Sequence, residues 1–561
     1  MNKQIIDIGL RAMFLSERIK CDGIQTADSK TNLAQWKKMV GEDFFATRLA
    51  MEGICENRAL ELAGKPLCAN IPEWLQWLSD FRESPLINDF EINDKNINEP
   101  VFLVNALSPI VAYGVRKFIE QTHLTDSLKE LLNGATTHLI HNLISISHRC
   151  IFPELFGDAG TLYFCKGRVV NMNWFDYIFS RYPVLARLLF EKLNNWVLNI
   201  KTLFERLQKD LPSIEQTFKV KGMPVVLKMG LSDSHNGGQS VAFFEWKDGT
   251  TVVYKPHSSL SGKEWMRFLK KCGIETYEFK ILEHKQYSYT EFVQYNGNGN
   301  PLKYYTHAGE LLAACIILGA TDMHYENLIA KGNIPVIVDT ETVAGPLLGE
   351  LSVGPERCGL LSVKKYIQGV CIGDWGGLVK VPGGLNIPTA PFKKEYVTSV
   401  TDGFKSVIQQ GCHIYTFKHP LRCVLRSTMT YSLIQAQCLN RKRMQDGFLY
   451  SLPIERLTPI LKYKKNYMNI YKYEQCSMEK LDIPYFYCFP DSKDIFAGKQ
   501  MLKENFFDQS VNEHIILRAN KLNNKAEIEK CINNINNAFE RSSPTIMQLD
   551  QLLFKQLFDK N

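Results

Sequence analysis

Thr321-Asp322-Met323-His324-Tyr325-Glu326-Asn327 and, after a short gap, Val336-Ile337-Val338-Asp339-Thr340-Glu341 decide how this chain is read. An Asp, an Asn five residues later and a second Asp closing an apolar run form the skeleton of a kinase-like site. Asp322 can orient or deprotonate a hydroxyl, while Asn327 and Asp339 can hold Mg²⁺ against nucleotide phosphates. About 70 residues upstream, Thr251-Val252-Val253-Tyr254-Lys255-Pro256 is a β-rich run ending in a lysine, the point charge a kinase needs at the phosphates. Asp and Asn at this spacing also cap turns, so the first segment alone is ambiguous. With Asp339 and Glu341 behind one strand and Lys255 behind another, the kinase-like reading prevails. His324 reads as part of the catalytic loop, or as a core histidine.

Working outward from this stretch, the flanking sequence divides into three segments. Residues 216–300 form a β-rich segment read as a kinase-like N-lobe. Pro224-Val225-Val226-Leu227-Lys228-Met229 is a strand candidate, followed by the turn Ser232-Asp233-Ser234-His235-Asn236-Gly237-Gly238-Gln239. A strand over 240–246, a Lys247-Asp248-Gly249 hairpin and a strand over 251–255 come next. A helix around Trp265 follows, then a strand over 286–293. Asn296-Gly297-Asn298-Gly299-Asn300 reads as a loose connection and the hinge between lobes. Residues 301–561 read as a C-lobe, opening with a buried helix through Leu311–Gly319. The Gly-rich stretch 350–395 reads as a long loop near the site, and the chain after about 400 as mainly helical. Residues 1–215 read as a mainly helical scaffold or peptide-docking region, from apolar residues at helical spacing such as Val184, Leu185, Leu188 and Leu189. Asn- and Asp-rich loops such as 88–96 separate these helices.

The mix of helical and strand patterns reads as an α+β fold, and the composition fits a soluble globular protein with a sizeable core: 45% hydrophobic and 22% charged over 561 residues. That length suggests about three or four units. A net charge of +7 permits an anionic ligand such as ATP and gives no argument for nucleic acid. Arg441-Lys442-Arg443 reads as a solvated helix end. Fifteen cysteines without a C-x-x-C pair argue against a disulfide scaffold and show no zinc spacing, so a cytoplasmic location is expected. No signal peptide or transmembrane run is present.

Two further groups carry chemistry with alternatives open. Asp233 and His235 form either an Asx-turn with a surface histidine or a carboxylate–imidazole pair for proton transfer. Arg422 and Arg426, four apart in His419-Pro420-Leu421-Arg422-Cys423-Val424-Leu425-Arg426-Ser427-Thr428, would share one helical or turn face. They are either a solvated basic face or a pair that neutralises a leaving phosphate. Leu481-Asp482-Ile483-Pro484-Tyr485-Phe486 reads as a packing segment.

Together these residues resemble the dehydratase domain of class II lanthipeptide synthetases, the LanM family. The resemblance rests on Asp233-Ser234-His235, Tyr254-Lys255-Pro256, Asp322 to Asn327, Asp339-Thr340-Glu341 and Arg422 to Thr428. Further landmarks are Tyr289-Thr290-Glu291-Phe292-Val293, Thr401-Asp402-Gly403-Phe404 and Asp482 to Phe486, so it spans about 225 to 490. It implies a lipid-kinase-like two-lobe fold with added helices. It also implies an enzyme of lantibiotic biosynthesis that phosphorylates Ser and Thr of a ribosomal precursor peptide with ATP and Mg²⁺, then eliminates phosphate to leave dehydroamino acids. By resemblance, Lys255, Asp322, His324, Asn327, Asp339 and Glu341 serve nucleotide, metal and phosphorylation chemistry. Asp233, His235, Arg422 and Thr428 serve elimination. The implied partners are the leader and core of the precursor peptide and, optionally, a separate cyclase.

The sequence departs from the family after the last landmark. It ends at Asn561, leaving no room for a C-terminal cyclase, and Cys412-His413 is followed by Ile414 where a cyclase motif has Gly. Ring formation and a zinc site are therefore not expected, and the helical pattern over 547–554 reads as the close of a finished domain. Gln239 and His257 stand where Arg is expected. Two alternatives remain: a peptide or small-molecule kinase without elimination, and a non-catalytic subunit that binds the precursor peptide.

Overall fold

The computed structural model of the chain describes residues 3–67, 72–85, 90–91, 99–156, 169–361, 364–367, 370–374, 376–381, 383–411, 414–462 and 467–540. The expected helix over 547–554, most of the 88–96 loop and the Cys412-His413 pair lie outside these residues. The chain is α+β, with helices dominant and several small antiparallel sheets. It divides into two compact units. One comprises Met1–Thr251 and Arg426–Pro484, the other Val252–Leu425 and Tyr485–Asn561. Among the described residues no helix is long and apolar enough to cross a membrane.

The first unit is built on the helix Pro183–Phe218. Proline fits its first turn, where the missing N–H is no loss, and Lys219 closes it in the left-handed region at φ 63°. Leu185, Leu188, Leu189, Leu193, Trp196, Val197, Ile200, Leu203, Phe204 and Leu207 recur at steps of three and four and are all buried. Phe190 meets the rings of Phe81, Tyr113 and Phe179, and Phe118 meets Trp196 and Phe204. Each such side chain contributes roughly 1.5–3 kcal/mol through burial. Charged groups inside this core are paired. Arg187 spans Glu17 at 2.5 and 2.7 Å, and Arg48 makes a two-point bond with fully buried Glu455 at 3.1 Å on each arm.

Strands expected over 224–229 and 240–246 are found as Val226–Met229 and Ala242–Glu245, paired from Val226↔Glu245 to Met229↔Ala242. The 230–241 connection between them carries Asp233, Ser234 and His235. Helices Thr428–Cys438 and Met468–Glu479, far along the chain, complete this unit.

At the end of the second of these helices, Glu479 is buried and hydrogen-bonded by Ser16, by Ser451 Oγ at 2.8 Å and by Gln475 Nε2 at 3.3 Å. Burial pushes its carboxyl up from 4.5 to about 7, against the opposing pull of the Ser16 and Ser451 bonds. The fold therefore favours the protonated form. This group's contribution to stability is intact below about pH 4.5 and is lost as pH rises through 7. Between about pH 5 and about pH 7 the loss comes to about 2 kcal/mol. Glu479→Gln should gain urea resistance over the unmodified chain across that interval, and equal pH slopes for the two proteins would contradict this.

The second unit contains the antiparallel strands Thr251–Lys255, Ser288–Glu291 and Ile281–Glu283, with Ser288–Glu291 in the middle. The helix Leu260–Lys271 leaves the first of them. The helix Pro301–Leu318 starts where Asn300 Oδ1 accepts from the N–H groups of Leu302 and Lys303, and ends at Gly319. It packs on the helix Glu395–Gln409 so closely that a Cβ at Gly403 would lie 1.9 Å from the Thr306 carbonyl oxygen. The Thr401–Phe404 landmark thus marks a helix crossing that only glycine admits. The Asn296–Asn300 segment, expected to be loose, is pinned: Asn296 N–H donates to Ala330 O and Gly332 N–H to Asn296 O. The region after 400 is not helical throughout. Leu421–Cys423, Phe486–Cys488, Ile495–Ala497 and Gln500–Lys503 form a four-stranded sheet.

Candidate active site

Within the second unit, Lys255 ends its strand opposite Ser288, behind buried Val252, Val253 and Tyr254. Its Nζ donates to Val338 O at 3.1 Å and stands 3.4 Å from Asp339 Oδ1. Asp339 follows the strand Ile334–Ile337 and keeps its side chain 34% exposed. Burial works to raise its pKa, but Lys255, His257 and Arg422 outweigh it and take the carboxyl down to about 2. Asp339 is therefore an anion across the physiological range.

The 321–327 loop is laced to the same segment. Val338 N–H donates to Asn327 O at 3.0 Å, Thr321 N–H to Thr342 O at 3.0 Å, and Thr342 Oγ1 to Thr321 O at 2.7 Å. Asn327 Nδ2 donates to Asp322 O at 2.8 Å, which leaves its carbonyl oxygen as the side chain's acceptor. Asp322 takes φ 65°, a left-handed conformation uncommon outside glycine and tolerated best by Asn and Asp. His324 is not a core histidine. Its side chain is 24% exposed, with Nε2 3.7 Å from Asp322 Oδ1 and Nδ1 3.7 Å from Glu326 Oε2.

The Gly-rich stretch closes on this loop through main-chain bonds from Met323 to Cys358 and from Gly377 to Gly359, and through a bridge between His324 and Gly376. A Cβ at Gly377 would come within 2.6 Å of Met323 O. Gly377→Ala should therefore push the loop bearing Asp322 and His324 out of place, at about 1–3 kcal/mol of strain. Urea denaturation should show that loss with circular dichroism of the folded state unchanged. A variant of unaltered stability would contradict this placement.

Glu341 is buried and bound on three sides. Tyr485 donates its phenolic hydrogen, Arg422 Nη1 lies at 3.6 Å and His257 Nε2 at 3.5 Å. Arg422 sits on the strand Leu421–Cys423, donates its main-chain N–H to Glu341 O at 3.0 Å, and holds its guanidinium 5.2 Å from the Tyr485 ring centroid. Burial acts to lower the Arg422 pKa, but Glu341, Tyr485, Asp339 and Asp322 raise it overall, so it stays charged. Burial, with Glu341, pushes the Tyr485 phenol well above its ordinary value, keeping it a donor. The helical alternative for Arg422 and Arg426 is corrected, because one lies on a strand and the helix starts only at Thr428. Arg426, in the first unit, is bound to Glu474 at 2.9 Å.

The donor set suits Mg²⁺ with a nucleotide. Asp339 offers an ionised carboxylate, Asn327 an amide oxygen and Lys255 a cation. Among the described residues no group of three or more His, Cys, Asp and Glu could hold a metal ion. Mg²⁺ bound by few protein oxygens plus phosphates needs no such group.

In the first unit, the Asp233-Ser234-His235 turn is held by a residue read from sequence as packing. Asp482 is 4% exposed and accepts from Ser234 Oγ at 3.0 Å, Gly237 N at 2.6 Å, Gly238 N at 3.2 Å and Lys192 Nζ at 3.1 Å. His235 Nδ1 lies 2.7 Å from Ile483 O. A carbonyl only accepts, so Nδ1 carries the hydrogen and Nε2 is the basic nitrogen of the neutral ring. Asp233 is exposed. Thr428 opens its helix behind the Ser427 cap, on the face where Gln435 Nε2 donates to Asp482 O at 3.1 Å. The structure thus groups Asp233, His235 and Thr428 in the first unit, and Arg422 with Lys255, Asp322, His324, Asn327, Asp339 and Glu341 in the second. Asp482, Tyr485 and His257 were missed as site residues. The signal for Asp482 was a lone carboxylate in an apolar, proline-containing run.

The chain is 26% identical over 186 residues to a lacticin 481/lactococcin biosynthesis protein of Lactococcus lactis subsp. lactis. That match covers 30% of this chain and 20% of the curated relative's length. The family described as "Domain of unknown function (DUF4135)" matches residues 182–357 and 379–488. Those two stretches make up just over half of the chain and contain every residue of the cluster and the turn, so the chain belongs to the DUF4135 family.

Proposed function

We propose that this chain phosphorylates Ser and Thr of a ribosomal precursor peptide and then eliminates the phosphate, as a lanthipeptide dehydratase. The observation that carries this reading is the cluster in which Lys255 faces Asp339 at 3.4 Å beside the laced Asp322–Asn327 loop. The similarity to a lacticin 481/lactococcin biosynthesis protein supports the substrate class. In this reading 216–300 and 301–561 are the lobes of a kinase-like core, 1–215 docks the peptide, and the protein works in the cytoplasm.

Bound ATP and Mg²⁺ would supply the phosphoryl group and neutralise charge during its transfer. Lys255 would hold phosphate oxygens, and Asn327 and Asp339 the metal. Asp322 would orient the substrate hydroxyl and accept its proton, with His324 setting the loop. Glu341 holds Arg422 in place. For elimination, a base removes the Cα proton, the Cβ–O bond breaks and the phosphate leaves with the electron pair. His235 Nε2 is that base, oriented through Nδ1, with Asp233 beside it in the turn. Thr428, in the same unit as the turn, would donate to the departing phosphate, and the family resemblance assigns Arg422 the same task.

Incubation with ATP, Mg²⁺ and the precursor peptide encoded beside the gene should lower the peptide mass by one water per modified Ser or Thr. An unchanged mass would overturn the reading, and a stable phosphopeptide would reduce it to a kinase.

A further inference from the structure

The four-stranded sheet that carries Arg422 has two unlike faces. One belongs to the core, where Leu421, Phe486, Cys488 and Ile495 are buried. On the other, Arg422 lies directly opposite Tyr487, Tyr487 opposite Phe496 and Phe496 opposite Met501. Residues paired in this way share a face, so these side chains form one row across the sheet. Burial also alternates along 485–489, which puts Tyr485 and Phe489 on the same face as Tyr487.

This face begins inside the candidate active site. Arg422 and Tyr485, at its near edge, both bind Glu341. Farther out the side chains open to solvent: Tyr487 and Phe496 are half-buried, Phe489 is 43% exposed and Met501 52%. Tyr487 stacks on Phe496 with ring centroids 5.5 Å apart, and Phe489 meets both edge-on at 5.9 and 5.1 Å. Exposed apolar residues scattered singly are ordinary. Here three rings and a thioether are gathered on one face, and beyond Arg422 the row carries no charge.

The size of the face limits what can cover it. Three strand spacings of about 4.8 Å and four residue steps of about 3.3 Å enclose on the order of 200 Å². A stable interface between proteins buries about 800 Å² on each side, so the face is too small for a second copy of the chain. It suits a few side chains of an extended peptide. Flat rings and a polarisable sulfur favour apolar and aromatic ones. The outer rings and Met501 lie two or three strands from Arg422, about 10–14 Å, which three or four extended residues span.

We infer that this face seats apolar or aromatic side chains of the substrate peptide three or four residues from the reacting Ser or Thr, and so selects which of them is modified. The inference rests on the reading of the adjoining cluster as the phosphorylation site. A contact so far from the bond being made holds substrate and transition state alike. Its loss should therefore raise KM and leave kcat alone.

The test uses the full chain and two synthetic copies of the precursor peptide, each with a single serine. One copy has phenylalanine four residues to either side of it, the other glycine. The phenylalanine copy should be phosphorylated with a KM about tenfold lower, at a kcat within about twofold. Phe489→Ser should abolish that preference while leaving the glycine copy and the KM for ATP unchanged. Met501→Ser should act in the same direction, and it carries the test if Phe489→Ser does not fold. A folded variant that keeps the preference, or that loses both copies equally, overturns the inference. So does a chain that is dimeric in solution and falls apart on Phe489→Ser. If neither copy is phosphorylated, the functional reading fails separately, and fluorescence anisotropy of the labelled copies without ATP decides the face. Tighter binding of the phenylalanine copy, lost in Phe489→Ser, upholds it; equal affinities overturn it.

Discussion

Asp339→Ala is expected to leave the precursor peptide unmodified, with phosphoryl transfer slowed about a thousandfold or more, on the order of 4 kcal/mol. Asp339 is held ionised by Lys255, His257 and Arg422. Removing it takes away the carboxylate that would bind the metal and leaves Lys255, 9% exposed, bound to the Val338 carbonyl but without its countercharge. Both changes act on the same half-reaction, so neither phosphopeptide nor dehydrated peptide should form. Mass spectrometry of a single turnover with excess enzyme reads this directly. Phosphopeptide formed at the unmodified rate would rule out the metal-binding role proposed for Asp339.

Arg422→Ala is expected to accumulate phosphopeptide, with elimination slowed by roughly a hundredfold, about 3 kcal/mol. Charge develops on the phosphate only as the Cβ–O bond breaks, so a lost cation acts late. Arg422 stands 3.6 Å from Glu341 and its charge is supported by Asp339 and Asp322. If its loss disorders that cluster, phosphorylation stops instead and the peptide stays unmodified. That outcome would assign Arg422 to the first half-reaction. Arg422→Lys separates charge from shape: it keeps the cation but loses the planar fork, so elimination should recover only in part.

Much of the cluster was legible in sequence because its parts are local. Asp322 and Asn327 lie in one loop, Asp339 and Glu341 follow one apolar strand, and Lys255 ends another. Alternation and turn residues placed those strands within a few positions. What failed depended on distant partners. Asp482 binds Gly237 from 245 positions away, and no local pattern announces such a bond. Tyr485 meets Glu341 across 144 positions. The spacing of Arg422 and Arg426 suits a helix, but Leu421–Cys423 pairs with Phe486–Cys488, and three-residue strands are too short to show alternation. Ser427, a strong N-cap residue, did mark the true helix start.

If one chain both installs a phosphate and removes it, the γ-phosphate of labelled ATP can be followed through both steps in a single turnover with the precursor peptide. Label should appear first on the peptide, then as free phosphate in step with dehydrated residues. Label that stays on the peptide, or free phosphate released without dehydration, would contradict this.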